Sequence, residues 1–261
     1  MTAILRYSGA DYSPNSMGYR APVTDGLLGW FYLGALSGDT GTQAQARSLR
    51  NLAFNDYTAT MVGTPTFATG YAEFDANTNY FQTNIPETLN STILILAYPN
   101  DLLTTTNVPV WVGNYGTDAT YGSSKGLIFY CKSSALPFTS PTIGALMDDG
   151  GSYTEELKTL TVNPWTSMLF LSAKVNASTG AFSIRNITAG GSASSTTYAG
   201  TRTLSSAGRT MRIGSAYATS FAGIGRMGFV AMYNRVLTED EENAIHTSVA
   251  AYRLAKVGDT V

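Results

Sequence analysis

The chain offers few side chains suited to chemistry: one histidine, one cysteine and 18 acids among 261 residues. His246 follows Ile245 in a C-terminal segment of helical pattern, so a catalytic triad would have to draw on a helix at the domain's edge. Cys131 ends the apolar run Leu127-Ile-Phe-Tyr-Cys and reads as a packed strand residue. A lone cysteine forms no disulfide within its chain, and a reactive thiol wants a basic, exposed setting. Zinc sites built from several His or Cys are excluded by the counts. Glu73 and Asp75 alternate on a strand and so share a face, but no second carboxylate nearby lets the pair divide acid and base roles. Asp75, Asn77 and Asn79 alternate as in a calcium loop, yet Tyr80 stands where a glycine is required and Pro86 where the bidentate acid belongs. The expectation is a non-enzyme with no catalytic residue, metal or cofactor.

Binding is better provided for. Sugar recognition uses aromatic rings against sugar faces, with Asn, Asp and backbone groups for the hydroxyls. Asn114, Tyr115, Asp118, Tyr121, Tyr198 and Tyr217 stand in loop-like stretches and form the candidate carbohydrate site. Trp30, Trp111 and Trp165 lie in apolar runs and are assigned to the core.

The elements that must position these residues read as strands. Charged residues make up only 13% of the chain, and Gly, Ser, Thr, Asn and Tyr take their place, as in a sandwich with many turns. Leu27–Leu33 predicts an apolar first strand, and Thr92–Tyr98 a central strand buried on both faces. Tyr71–Asp75 and Asn79–Gln82 predict a hairpin across 76–78, and Asp148-Asp-Gly-Gly marks another. Ala44–Leu52 suits a short helical turn, while the Gly190–Thr197 stretch reads as a flexible loop. One long helix starts at Thr238, with Glu241 completing a capping box. Ala244, Ile245, Val249 and Tyr252 form its apolar stripe, and Gly258 its stop. Residues 1–25 have neither period. They predict an extended arm whose Ile4, Leu5, Tyr7, Tyr12 and Tyr19 favour lying on a partner, leaving one domain over 26–261.

Several of these pieces share a known pattern. Gly26-Leu-Leu-Gly-Trp-Phe, Gly70-Tyr-Ala-Glu-Phe-Asp, the Trp165–Ile184 hairpin and, most closely, Phe221 through Glu241 resemble laminin-G-like (concanavalin A-like) jelly-roll domains. The resemblance implies an all-β, two-sheet antiparallel jelly-roll sandwich with one C-terminal α-helix packed on it and an extended N-terminal arm. One group of glycoside hydrolases with this fold carries Glu-x-Asp-x-x-Glu; here the third acid is replaced by Thr78. The arm followed by Gly26-Leu-Leu-Gly-Trp-Phe also resembles virion proteins of tailed bacteriophages and prophages. That implies a structural protein of a phage-like virion (capsid decoration, baseplate or tail-fibre component), made in the bacterial host cytoplasm. Its partners would be itself, as a homo-oligomer with a trimer favoured, and other virion proteins. A glycan-binding host-recognition module is the alternative, with a host surface glycan as partner, ahead of a hydrolase or lyase. A net charge of −2 without a basic cluster argues against nucleic acid, and no apolar run is long enough for a membrane span.

Overall fold

The computed structural model describes residues 21–53, 55–99, 108–121, 123–132, 139–148, 150, 153–162, 165–194 and 200–259. In chain order the elements begin with β1 (Leu27–Tyr32), α1 (Gly41–Ser48), β2 (Ala59–Val62), β3 (Thr66–Ala68) and β4 (Tyr71–Asp75). Next come β5 (Tyr80–Pro86), β6 (Ser91–Pro99), β7 (Val110–Gly113), β8 (Gly116–Asp118) and β9 (Ser123–Lys125). Then follow β10 (Ile128–Cys131), β11 (Pro141–Asp148), β12 (Tyr153–Thr159), β13 (Leu169–Asn176) and β14 (Ala181–Asn186). The chain closes with β15 (Gly191–Ser194), β16 (Thr201–Arg202), β17 (Thr210–Ile213), β18 (Ile224–Tyr233) and α2 (Glu239–Lys256).

Two antiparallel sheets face each other. The first runs β15-β14-β13-β6-β18-β4-β3, with β1 also on β18; the second runs β12-β11-β10-β7-β17-β5-β2, with β16 on β11. Alternation along each strand sends one set of side chains into a shared core, where Phe74, Phe81, Trp111, Phe129, Trp165 and Phe182 are almost wholly buried. Trp111 anchors it, with Trp165 at 5.2 Å and Phe129 edge-on at 5.4 Å. All three tryptophans and Cys131 are buried, and β6 is apolar between β13 and β18.

Strands β4 and β5 do not form the expected hairpin. They belong to opposite sheets, joined near the turn by a single bridge between Asp75 and Asn79. The reason is apolar: Phe74 and Phe81 meet edge to face across the core, 5.1 Å apart, which requires one strand on each side. Gly191–Ser194 is likewise a strand rather than a loop, paired with β14. Helix α1 starts at Gly41, earlier than the apolar pattern suggests, because Thr40 and Gln43 close a capping box.

The first sheet carries its own cover. Trp30, Tyr32, Leu94, Leu96, Phe170 and Phe229 point away from the shared core and are buried under Leu237, Ile245 and Val249 of the C-terminal segment. Thr238 and Glu241 cap α2 as the sequence predicts, and Gly258, at φ +84°, follows the last turn. Ala244 is exposed. Its expected place in the seam is taken by two charged residues, Glu242 and Arg253. Glu242 is bound by Ser172, Lys174 (3.0 Å) and Arg185 (3.2 Å), so a buried carboxylate ties the helix to β13 and β14. Before β1, Ala21 is packed on the same cluster and Tyr233 Oη donates to the Val23 carbonyl at 3.0 Å. Among the described residues, no helix is long and apolar enough to cross a membrane.

Candidate functional site

The outer face of the second sheet is the sandwich surface that α2 does not cover. Because Phe81, Met211, Ile213, Phe129 and Ile143 point inward, their neighbours Tyr80, Gln82, Arg212, Ile128, Tyr130 and Gly144 face out. A small second layer lies on the middle of this face. Phe221 packs edge-on against Tyr130 at 5.3 Å and against Tyr115 at 5.8 Å, over Val110, Ile128 and Ala216.

A polar frame fixes that layer. Asn114 is 1% exposed; its Nδ2 donates to Glu87 (2.8 Å) and to the Arg209 carbonyl (3.3 Å), and its Oδ1 accepts from the Leu127 amide (2.7 Å). Asp118 is equally buried. It accepts from Ser205 Oγ (2.8 Å), the Ser206 amide (2.8 Å), Ser206 Oγ (2.7 Å) and the Thr120 amide (3.0 Å). Burial alone would oppose ionisation of Asp118. The hydrogen bonds from Ser206 and Ser205 and from the backbone outweigh it and bring the carboxyl down to about 2. Arg209 crosses to the same β8–β9 hairpin, donating to the carbonyls of Thr117 and Gly116 at 2.8 Å each. Glu87 joins the frame through an ion pair with the buried Arg202.

Two groups of side chains stand on this frame. In the first, the Arg212 guanidinium lies 3.5 Å from the centre of the Tyr217 ring and 4.4 Å from that of Tyr80. Its Nε donates to Gln82 Oε1 at 2.9 Å and its Nη1 to the Ala216 carbonyl at 2.8 Å. Gln82 Nε2 reaches Tyr217 Oη at 3.0 Å, closing the set. In the second, Tyr121 packs on Tyr153 with ring centres 4.2 Å apart, and Tyr153 is 37% exposed. Nearby, Glu155 faces Tyr115, and its Oε1 is buried without a partner among the described residues. Burial lifts this carboxyl to about 7, against the opposing pull of Tyr115, Lys125 and Lys132.

The structure therefore brings five of the six expected sugar-binding residues to one face and divides their work. Asn114 and Asp118 spend their side chains on the frame, Tyr115 is half-buried in the second layer, and Tyr121 and Tyr217 lie at the surface. Tyr198 and the arm residues Ile4, Leu5, Tyr7, Tyr12 and Tyr19 lie outside the described residues. Sequence reasoning missed Tyr80, Gln82, Arg212 and Glu155. The signal was present for Arg212, a single charge between the core residues Met211 and Ile213. Elsewhere, Glu73 pairs with Arg226 at 2.8 Å, and Asp75 accepts from the Asn77 amide in a turn. His246 sits against the Phe170 ring, 5.0 Å between centres, on the helix side of the sandwich. Among the described residues, no group of three or more His, Cys, Asp or Glu is placed to hold a metal ion.

No protein-family model matches the chain, and no curated protein matches it in sequence. Solved structures do match in shape. HCR/D-Sa-GBL1/C superposes with a TM-score of 0.60 at 8% identity, over 87% of this chain and 52% of that one. A botulinum neurotoxin type C structure, described by the dependence of cell entry on two ganglioside molecules, gives 0.56 at 8% identity over 86% and 51%. The binding domain of Paraclostridial Mosquitocidal Protein 1 gives 0.53 at 14% identity over 88% and 53%. The likeness is one of fold. The chain spans about half the length of each of these structures. The shared architecture is the two-sheet sandwich.

Proposed function

We propose that the chain is a non-enzymatic glycan-binding module that uses the uncovered outer face of its second sheet. The observation that carries this reading is the surface itself. One sheet face is closed by α2, while the other presents Tyr80, Tyr217, Tyr121 and Tyr153 beside Gln82 and Arg212. Flat rings beside fixed planar donors and acceptors suit a sugar, whose faces are apolar and whose rim is hydroxyl. The fold shared with the binding domain of Paraclostridial Mosquitocidal Protein 1, and with a neurotoxin whose cell entry depends on two ganglioside molecules, supports the same reading. A hydrolase is less well served. Glycoside cleavage needs two carboxylates of opposed pKa, and the groups that act on Glu155 are burial, a tyrosine and two lysines.

The full chain, screened on a glycan array, is expected to retain at least one saccharide, with binding weakened by Tyr80→Ala and Tyr217→Ala. Binding left intact in both variants would remove this face from the proposal. An array with no retained glycan would remove the function. Homo-oligomeric assembly in a phage-like particle is a separate proposal that rests on residues 1–25, and sedimentation of the full chain tests it.

A further inference from the structure

We infer that Arg212 receives the anionic group of an acidic sugar, a carboxylate or a sulfate ester, on the face shared with Tyr80 and Tyr217. The inference rests on the glycan-binding reading and gives the ligand its chemical class.

Arg47, Arg185, Arg202, Arg226, Arg235 and Arg253 each pair with a carboxylate of this chain. Arg212 has no such partner among the described residues. Its two bonded nitrogens meet neutral acceptors, Gln82 Oε1 and the Ala216 carbonyl, which hold the group in place without discharging it. Its Nη2 makes no hydrogen bond to any of the described residues. The rings of Tyr217 and Tyr80 fix the guanidinium plane. A cation held this way loses little freedom on meeting a ligand, and its open edge matches an oxyanion.

A second cation strengthens the case. The Arg209 guanidinium lies 5.4 Å from the same Tyr217 ring, and its Nε is buried without a partner. Two guanidinium groups sharing one tyrosine repel each other, and an anion bound beside them relieves that repulsion. The whole chain carries a net charge of −2, so this is a local exception and not a generally basic surface. A polyanion such as nucleic acid would want a basic stripe; one sugar acid needs one arginine with a ring beside it. The Tyr80 ring, half-buried at the end of β5, offers that neighbouring apolar surface.

The test compares one saccharide core in neutral, carboxylate-bearing and sulfated forms, titrated against the full chain at low and high salt. Wild type is expected to prefer one or both acidic forms and to lose that preference at high salt; which form wins identifies the anion. Arg212→Gln is expected to weaken the acidic form by about 10- to 100-fold, the worth of a charge-assisted contact, and the neutral core by much less, so that the acidic preference is lost. Arg212→Lys keeps the charge without the flat stack and is expected to fall between the two. It carries the comparison if the glutamine variant does not fold. Equal binding of neutral and acidic forms, or an acidic preference that survives Arg212→Gln, overturns the inference and leaves the glycan reading standing. Absence of binding to every form overturns both.

Discussion

Replacing Glu155 by Gln is expected to stabilise the protein in mildly alkaline solution while changing little in acid. The Glu155 carboxyl lies among Gly144, Leu157 and Tyr115, with the Tyr130 ring, Lys125 and Lys132 as the other polar or charged groups facing it. Burial lifts it from the ordinary 4.5 to about 7. Each pH unit between the unfolded and folded values corresponds to about 1.4 kcal/mol, so the ionised form costs the fold about 3 kcal/mol. The sign follows from proton counting. Between 4.5 and about 7 the folded state holds the proton more tightly than the unfolded chain does. Stability from this group is therefore fully present below 4.5 and is lost as pH rises through 7. The glutamine amide imitates the protonated acid, being neutral and of nearly the same shape beside Tyr115. Urea unfolding of both proteins at about pH 4 and about pH 8.5 reads the difference directly. The two should nearly coincide in acid and separate by about 3 kcal/mol in base, with the variant the more stable. A difference that stays constant across the range would refute the reasoning, because no ionisation at residue 155 would then be coupled to folding.

Asp118→Ala strips four donors of their acceptor and should cost about 2–4 kcal/mol in the same assay, with faster amide exchange at Thr120 and Ser206. With a carboxyl held at about 2 against the ordinary 3.8, Asp118 contributes stability above 3.8 that fades as pH falls through 2, so acid titrations of wild type and Asp118→Asn should converge at the acid end. Gly34 has φ +100°, and a Cβ there would come within 2.3 Å of the Tyr71 backbone nitrogen, so Gly34→Ala should cost more than the ~1–2 kcal/mol of the backbone conformation alone, measured as a loss of midpoint in urea. Thr238→Ala removes one half of the α2 capping box and should cost about 1 kcal/mol, with exchange accelerated at the Glu241 amide.

The elements governed by local chemistry were legible in the sequence. The Thr238–Glu241 box, the glycine stop at Gly258, the Leu27–Tyr32 strand and the β13–β14 hairpin all depend on neighbours close in the chain. What the sequence hid depends on contacts between distant segments. Tyr71–Asp75 and Tyr80–Pro86 look like a hairpin until Phe74 and Phe81 are known to close the core from opposite sides. Asn114 and Asp118 look like exposed loop polar groups until residues 205–209 arrive to engage them. Glu242 reads as a helix-start acid and proves to be a buried tether, because Ser172, Lys174 and Arg185 come from a hairpin some sixty residues earlier. The same limit applied to Arg212: the charge between two core residues was visible, but its two tyrosines come from β5 and from the loop after β17.

Strand β18 comes last in chain order among the strands of the two sheets, yet it lies inside its own, with β6 along one edge and β4 and β1 sharing the other. Until it leaves the ribosome, β6 shows an open, largely apolar edge, and β4 and β1 have nothing to join them to it. The growing chain must therefore keep these parts of the sheet from aggregating until β18 arrives. A product that stops before Ile224 then has β13–β15 with β6, β3 with β4, and β1 as three unjoined pieces of a sheet rather than a shorter protein, and is a natural substrate for a chaperone or a protease.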